Sequence, residues 1–315
     1  MARTLNLRAF ERVLAALDAP RNGAALFALL ATFATAGLLL AMAESALAQE
    51  RGGLGGLCAG LALTVTFFGV NATGMLLMDQ ARGRAVREVE EAVKEALLRS
   101  HHVLMSLGLV LLALAVPAAL LLGLLRGVNL PWIGAPLFGA LVPLGVSGVG
   151  LVALAVVVIV GPLTGPSVWA GARARDTALM CWRQFRHGLI EAGALMLVVM
   201  GLTAAVTAAI SFVVLSGARV MALLSVWWLG IDLPPQQLMA GLFGYGLRSL
   251  GAAGAPVAAS KLGVAALTGG GVVFALALAL PMLVYLRGCC AVYLALNEPE
   301  PEPEPEFASE PSPNA

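Results

Sequence analysis

Charged side chains are scarce in this 315-residue chain: 12% of its residues are Asp, Glu, Lys or Arg, whereas 60% are hydrophobic. Soluble globular domains carry roughly 25% charged residues, so the composition excludes a water-soluble core with a charged surface. The net charge is only +1, because basic residues gather in a few connecting segments while glutamates gather in the C-terminal tail. This balance gives no reason to expect a nucleic-acid partner.

Cysteine and the motifs of familiar enzymes are also rare or missing. The chain has four cysteines and no CxxC pair, which argues against a disulfide framework or a zinc site. HExxH and GxSxG do not occur, and the GAPVAASK stretch at 254–261 lacks the second glycine of a phosphate-binding loop. With no nucleophile constellation or carboxylate pair in the sequence, we predict a chain that is not an enzyme and that uses no metal and no cofactor.

The adjacent residues His101 and His102 come nearest to a metal site. Imidazole binds metals and titrates near neutral pH. No clustered Cys, Asp or third His completes a ligand set. The pair is therefore predicted to consist of solvated residues at the membrane boundary.

Long apolar runs are what the chain has in abundance. Six of them approach the ~20 residues that a helix needs to cross a hydrocarbon core of about 30 Å. The sequence therefore predicts an all-α, polytopic transmembrane helix bundle. The predicted spans are 24–43, 54–77, 103–125, 137–160, 192–215 and 264–286, with the last helix continuing to Leu296.

This division gives three regions. Residues 1–23 form an amphipathic N-terminal segment, residues 24–296 form the six-span membrane domain, and residues 297–315 form an acidic Glu-Pro tail predicted to be disordered. The Ala46-Leu47-Ala48 stretch after the first run resembles a signal-peptidase site. Because that run is longer than a signal core of about 7–15 residues, we predict that it is retained as a span.

Fourteen of the 19 Lys and Arg residues fall on one side of a six-span chain. Cytoplasmic loops retain positive charge, so both termini are predicted to be cytoplasmic. The Ala, Leu and Gly bias indicates a bacterium, and hence the bacterial inner membrane. Anionic lipid headgroups are the predicted partners of five interfacial basic residues. These are Arg82, Arg84, Arg87, Arg183 and Arg186.

Three stretches outside the spans combine helical periodicity with basic residues, which is typical of helices that lie along a membrane surface. They cover residues 81–100, residues 178–189 and the segment before the first span. Their apolar positions are Val86, Val89, Val93 and Leu97; Ala178, Trp182, Phe185 and Leu189; and Leu5, Phe10, Val13, Leu14 and Leu17.

The order of span, basic amphipathic helix and span occurs twice. Sliding residues 54–125 onto 137–215 by 87 positions places Arg99 on Arg186, although few other residues match. The pattern indicates an internal duplication of parallel repeats, an arrangement that builds a cavity between the halves.

This order, with Gly161-Pro162 and Gly165-Pro166 ahead of Trp182-Arg183 and a final Val284-Tyr285-Leu286-Arg287 stretch, resembles uncharacterised bacterial six-helix integral membrane proteins. That family is related to the membrane domain attached to glycerophosphodiester phosphodiesterases. The resemblance is one of layout and covers roughly residues 20–296. It implies a six-helix membrane fold and no catalytic residues, since the phosphodiesterase site belongs to a separate soluble domain absent from this chain.

Polar side chains within the spans form one weak pattern. Thr203, Thr207 and Ser211 recur every four residues in the fifth span and are candidates for a polar groove facing Thr64 and Asn71 of the second. The alternative is that each hydroxyl bonds to the carbonyl four residues earlier in its own helix. The sequence leaves both interpretations open.

Four ionisable residues fall near predicted span ends, where long side chains reach the interface, and we predict that they are interfacial anchors. A proton-coupled pump is disfavoured, because no carboxylate lies in mid-span. The four residues are Glu44, Asp79, Glu191 and Arg287.

Three glycines at four-residue spacing, Gly52, Gly56 and Gly60, open the second span. This spacing permits close approach of a second backbone. The second backbone belongs either to another helix of the same chain or to a second copy in a dimer, and we favour packing within the chain.

The connection between the fifth and sixth spans is long. Trp227-Trp228 suits the headgroup boundary, and Asp232 is predicted to cap a surface helix over 238–250. The alternative is a re-entrant hairpin over 220–250, which Pro234-Pro235 disfavours.

Glu and Pro alternate from Glu298 to Glu306, which predicts a stiff polyproline II rod. The rod is interpreted either as a docking strip for a basic protein partner or as a solubilising terminus. Together these features favour a non-enzymatic scaffold or accessory factor of the cell envelope. The alternative is a transporter or channel for a small solute or lipid through a cavity between the repeat halves, and an intramembrane enzyme ranks last.

Overall fold

The computed structural model describes residues 7–129, 134–229 and 261–297, and within these ranges every regular element is helical. A 3₁₀ turn over Ala15–Arg21 follows the first helix, and a π-helical segment over Val156–Val160 joins the sixth to the seventh. The α-helices of these ranges are α1 Leu7–Leu14, α2 Gly23–Ala48, α3 Gly52–Ala81, α4 Val89–Arg99, α5 His101–Gly127, α6 Gly134–Ala155, α7 Gly161–Trp169, α8 Ala174–His187, α9 Leu189–Leu229 and α10 Lys261–Asn297.

In the described ranges, six stretches of helix are long and apolar enough to cross a membrane. The predicted six-span, all-α bundle is therefore confirmed, and the chain has the architecture of a multi-pass membrane protein. The six stretches are Gly23–Leu47, Gly52–Ala81, Val89–Gly127, Gly134–Trp169, Leu189–Met221 and Ala275–Asn297.

Two glycine turns of the same design end the second and fourth spans. Gly83 follows α3 with φ of +66°, and Gly171 follows α7 with φ of +102°, a backbone region that glycine enters without the clash of a Cβ. In each turn the amide after the glycine bonds to the carbonyl five residues earlier, at 3.0 and 3.1 Å. Both are Schellman caps, and each leads the chain into a short basic helix, α4 or α8.

The order of long helix, glycine turn, short helix and long helix thus occurs twice, over 52–127 and over 134–229. The two turn glycines lie 88 positions apart, one more than the offset of 87 read from the sequence. The two units therefore agree in element order and in turn chemistry, while their duplication stays a prediction.

The first short helix is shorter than predicted. It begins at Val89 and not at Ala81, because Gly83 ends α3 and residues 84–88 make no helical turn. Glu90 and Glu91 lie in its first turn and Arg99 in its last, which is the charge order that a helix dipole favours.

The fourth and fifth spans are longer than predicted. The fourth continues past Val160 through the π-helical segment to Trp169, with Pro162 in the first turn of α7. The fifth runs unbroken for 41 residues to Leu229, so the predicted end at Leu215 is wrong and residues 220–229 are regular helix. The remainder of the predicted hairpin or surface helix, at 230–250, lies outside the described residues.

The last helix, α10, is the most enclosed of the six spans. Of its most apolar window 61% is buried, against at most 28% in the other five. One side of α10 packs against α2, α3 and Trp169 of α7. The other side packs against α1, the π-helical segment, α8 and α9, so α10 lies at the centre of the bundle.

This packing is concentrated at one end of the bundle. We call it the basic end and define it by α1, residues 82–88, α4, α8 and residues 287–297. Buried residues lie in the parts of the spans next to these segments. Farther along, the spans expose large apolar side chains such as Leu63, Leu144 and Phe212, as expected of a surface that lipid covers.

Close helix contacts near the basic end depend on glycine. A Cβ at Gly69 would overlap Thr32 of α2, and a Cβ at Gly74 would overlap the ring of Trp169. The glycines predicted to pack within the chain are Gly52, Gly56 and Gly60. No described atom lies within 4 Å of where their Cβ atoms would be. The prediction of packing within the chain is therefore wrong for the described residues.

Candidate functional site at the basic end

A buried ion pair joins the end of α3 to the turn after it. The Nε and Nη2 atoms of Arg87 donate to the two carboxylate oxygens of Asp79 at 2.6 and 2.8 Å, and both side chains are largely buried. Bidentate geometry of this kind is the strong form of the arginine–carboxylate interaction. The hydrogen bond to Asp79 raises the pKa of Arg87 above its usual value, which outweighs the opposing effect of burial.

Neither Asp79 nor Arg87 has the role that the sequence predicted. Asp79 is a buried partner and not an interfacial anchor, and Arg87 binds Asp79 and Glu95 instead of facing headgroups. Glu95 also accepts from Arg99 at 3.0 Å, so four alternating charges tie α3 to α4. Sequence reasoning missed the pair because a glycine turn separates Asp79 from Arg87, which removes the helical spacing that identifies ion pairs.

The two glycine turns contact each other through arginines of the first unit. Arg82 Nη1 lies 3.5 Å from the carbonyl oxygen of Ala170. The Arg99 guanidinium lies 3.7 Å from the position a Cβ would take at Gly171. Of the three basic residues that were predicted to reach headgroups from this segment, Arg84 is the exposed one.

Asn71, a predicted groove residue, lies instead at the contact between α3 and α7. Its Oδ1 accepts a hydrogen bond from Trp169 Nε1 at 2.9 Å, and its Nδ2 donates to the carbonyl of Phe67 at 2.8 Å. Asn71 and Trp169 are both buried. The amide therefore helps to hold two helices together.

The other predicted groove residues show mixed behaviour. The hydroxyls of Thr64 and Thr207 donate to carbonyls of their own helices at 2.8 and 2.7 Å, as the alternative interpretation expects. Both residues are exposed, as is Ser211. The Thr203 hydroxyl is buried and has no hydrogen-bond partner among the described residues. The polar groove as a whole stays a prediction.

The segment before α2 is tied to the end of α3. Gln80 Nε2 donates to the carbonyl of Asp18 at 3.2 Å, and Asn22 Nδ2 donates to the carbonyl of Leu76 at 3.3 Å. The Asn22 side chain also caps α2 by accepting from the amide of Ala25 at 3.1 Å. These bonds hold the 3₁₀ turn, with Asp18, beside the last turn of α3.

Arg287 of α10 is buried, although the sequence predicted an interfacial anchor. It is 8% exposed, and its Nε has no hydrogen-bond partner among the described residues. Asp18 lies near enough to act electrostatically on it, but the carboxylate of Asp18 pairs with Arg21 at 2.7 Å. A buried guanidinium for which the described part of the chain supplies no matched carboxylate is the most unusual feature of the basic end.

Helix α8 packs on the bundle through small residues. The Thr177 hydroxyl lies 3.0 Å from that of Ser167 on α7, and Cys181 is buried against the bundle. Burial raises the pKa of the Cys181 thiol above its usual value. Small side chains let the helices approach closely and leave the larger residues for the opposite face.

That opposite face of α8 is apolar and basic, as predicted for a membrane-surface helix. Leu179 and Trp182 are each 56% exposed, and the Arg186 guanidinium lies 5.8 Å from the centre of the Trp182 ring. Arg183 Nη2 donates to Asn297 Oδ1, at the end of α10, at 3.1 Å. Arg183 and Arg186 are both exposed, so they are accessible to headgroups.

Helix α4, like α8, buries small residues and exposes larger apolar ones. Ala92 and Ala96 are fully buried, while Leu97 and Leu98 are exposed. Two short helices thus present large apolar side chains outward from one end of the bundle.

The histidines and cysteines form no larger cluster in the part of the chain that the structure describes. The rings of His101 and His102 lie 4.1 Å apart between centres. No group of three or more His, Cys, Asp or Glu side chains that could hold a metal occurs among the described residues. All four cysteines are free and buried.

Comparison of the chain with known protein families, with curated proteins and with solved structures found no match. The resemblance in layout to six-helix relatives of the phosphodiesterase membrane domain therefore stays a prediction.

Proposed function

We propose that the chain is a non-enzymatic scaffold or accessory factor of a bacterial inner membrane, with its basic end and both termini in the cytoplasm. The observation that carries this proposal is the outward face of α8, where Leu179 and Trp182 are exposed beside Arg183 and Arg186. A helix with this face binds the headgroup layer of an anionic leaflet.

The packing of the basic end supports an anchoring role. The last turns of α10 are buried among other helices, and the charges of α3 and α4 neutralise one another within the chain. Such an end forms a rigid platform that holds α4 and α8 in a fixed relation to the membrane surface.

The acidic tail is the proposed protein-binding element. Helix α10 ends at Asn297, which Arg183 contacts, and five glutamates follow within residues 298–306. The tail therefore starts at the membrane-facing platform, and a partner with a basic surface is the proposed occupant.

A transporter or channel for a small solute or lipid is the second proposal. The fourth span contains a π-helical segment followed by Pro162 and Pro166, and such segments are frequent at functional sites. The Thr203 hydroxyl, for which no described residue provides a hydrogen-bond partner, lies in the fifth span. A cavity between the two repeat units would use both features.

One experiment separates the two proposals. The full chain and a variant lacking residues 298–315 are purified and used to capture partners from a membrane extract, with deletion of residues 308–315 as the control that retains the Glu-Pro run. Scaffolding requires loss of a specific partner in the first variant alone. Unchanged partners together with solute or lipid flux in liposomes would establish transport instead.

Orientation has its own test. Reporter fusions after Arg99, Arg186 and Asn297 are expected to be cytoplasmic. An exported signal from any one of them contradicts the proposed threading.

A further inference from the structure

The outward side of α8 carries three arginines in one row. Arg175, Arg183 and Arg186 are all exposed, and spacings of eight and three residues place them on the same face of a helix. Leu179 and Trp182 lie between them on that face and are each 56% exposed. We call the three arginines the arginine row. It distributes positive charge along about 17 Å of the helix axis, at about 1.5 Å per residue.

The described part of the chain gives the arginine row no carboxylate partner. Its ion pairs lie outside α8 and use Asp18, Asp79, Glu90 and Glu95. Asp176, in the first turn of α8, is exposed and forms none of these pairs. Arg183 and Arg186 contact an amide oxygen and an aromatic ring, which carry no net negative charge. An anion that lies along the row is therefore attracted by three charges that no described carboxylate neutralises.

The C-terminal tail begins beside one member of the row. Arg183 Nη2 donates to Oδ1 of Asn297, the last residue of α10, at 3.1 Å. Asn297 Nδ2 also donates to the carbonyl of Tyr293 at 3.0 Å, so the last turn of α10 holds this side chain against α8. Residues 298–315 follow it and lie outside the described residues. The tail is therefore attached within one side-chain contact of the arginine row.

The sequence of the tail matches the row in charge and in length. Glutamate and proline alternate over 298–306, and a polyproline II rod advances about 3.1 Å per residue. In such a rod Glu298 and Glu302 are about 12 Å apart. Arg175 and Arg183 are also about 12 Å apart along α8, at about 1.5 Å per residue. Successive carboxylates can therefore meet successive arginines.

Attachment favours the tail over an anion that arrives from solution. A tethered segment has an effective concentration on the order of millimolar at a site that its linker can reach. Proline also restricts the free tail, so less conformational entropy is lost when the tail binds.

We propose that the arginine row of α8 is a docking surface for the acidic tail of the same chain, where the tail competes with anionic headgroups. The competition rests on the proposed function, in which α8 contacts headgroups, whereas the docking does not. A basic partner that binds the tail releases the row, so partner binding and membrane contact of α8 become linked.

Zero-length cross-linking of the purified full-length protein tests the docking. A carbodiimide activates a carboxylate, and a lysine amine in contact with that carboxylate displaces the activating group and forms an amide bond. Arg175→Lys and Arg186→Lys keep the charge of the row and supply the amine. Arg84→Lys, at an exposed arginine of the basic end outside α8, is the matched control. Peptide mass spectrometry identifies the linked residues.

In neutral detergent, Arg175→Lys and Arg186→Lys are each expected to link to glutamates of 298–306 about fivefold or more above Arg84→Lys. Raising NaCl from about 0.1 M to about 1 M shortens the Debye length from about 10 Å to about 3 Å, so the yield is expected to fall by about fivefold. Equal yields for the three variants overturn the proposal, as does the absence of links at the arginine row.

A mixture of isotope-labelled and unlabelled protein distinguishes links within a chain from links between chains. Links within one chain are expected. Links that form only between chains overturn the proposal, because the occupant of the row is then a second copy.

Nanodiscs separate a failure of the docking from a failure of the proposed function. The yield of tail links in phosphatidylcholine nanodiscs is compared with the yield in nanodiscs that also contain phosphatidylglycerol. Competition predicts a lower yield in the anionic bilayer. An unchanged yield contradicts the competition and the headgroup role of α8, while it supports the docking. Absence of links in detergent and in both bilayers overturns the docking and does not contradict the headgroup role.

Discussion

The indole N–H of Trp169 donates to the side-chain oxygen of Asn71 at 2.9 Å across the contact between α7 and α3. Gly74, one turn along α3, packs against the same ring. One buried hydrogen bond and one missing Cβ therefore both contribute to the contact between the two units.

Asn71→Ala is expected to lower the free energy of unfolding by about 1–3 kcal/mol, because it leaves the buried indole N–H without an acceptor. The measurement is SDS titration of the protein in mixed micelles. Thr64→Ala removes an exposed hydroxyl from the same helix and should change stability by less than about 0.5 kcal/mol. Equal losses of stability for the two substitutions would show that the hydrogen bond from the Trp169 indole does not stabilise the fold.

Gly74→Ala is expected to destabilise the fold by about 1–3 kcal/mol, because the added methyl group must displace the buried Trp169 ring. Gly56→Ala is the matched control on the same helix. Its Cβ meets no described atom, so helix propensity alone should raise stability by up to about 1 kcal/mol. If Gly56→Ala destabilises instead, this glycine contacts a second chain or residues outside the described ranges.

Asp79→Asn is expected to cost about 3 kcal/mol, because it leaves the Arg87 guanidinium without its buried countercharge. The exposed pair of Lys94 and Glu90, 2.7 Å apart, provides the control. Glu90→Gln should cost no more than about 0.5 kcal/mol. Thermal unfolding in detergent compares the two, and a small loss for Asp79→Asn would contradict the role of the ion pair.

Cys181 is expected to alkylate slowly at pH 8, because burial raises the pKa of its thiol and only the thiolate reacts. As pH rises past about 8.5, the usual thiol pKa, the unfolded chain loses its proton before the folded chain does. The stability of the fold therefore declines above that pH.

Iodoacetamide labelling followed by mass spectrometry measures the rate for Cys181 from pH 7 to 10. Leu179→Cys, on the exposed face of the same helix, should label much faster at every pH. Similar rates at the two positions would mean that Cys181 is accessible.

The six spans were predictable because an apolar run of the right length has few alternatives in a chain this poor in charge. The central position of α10 was not predictable from hydropathy. Lipid-facing and protein-facing positions are both apolar in a membrane protein, so hydropathy does not distinguish them. Small residues do, and α10 brings Gly288, Cys289, Cys290 and Ala291 together at its most buried point.

The candidate site was harder to predict than the fold. The amphipathic helix at 178–189 was recognised from its period, and its outward Trp182 agrees with that prediction. The roles of Asp79 and Arg287 were missed, because proximity to a span end was taken to mean contact with water. Burial there results from the packing of α1, α4 and α8 against the span ends, and no local pattern in the sequence reports that packing.

The length of α9 has a consequence for the surrounding lipid. Its apolar stretch Leu189–Met221 has 33 residues, which at 1.5 Å per residue is about 50 Å. Fitting that length into a hydrocarbon layer of about 30 Å by slanting alone would take an inclination of about 50°, beyond the 0–40° range of membrane helices. We therefore expect steep tilting of this helix together with local thickening of the bilayer around it.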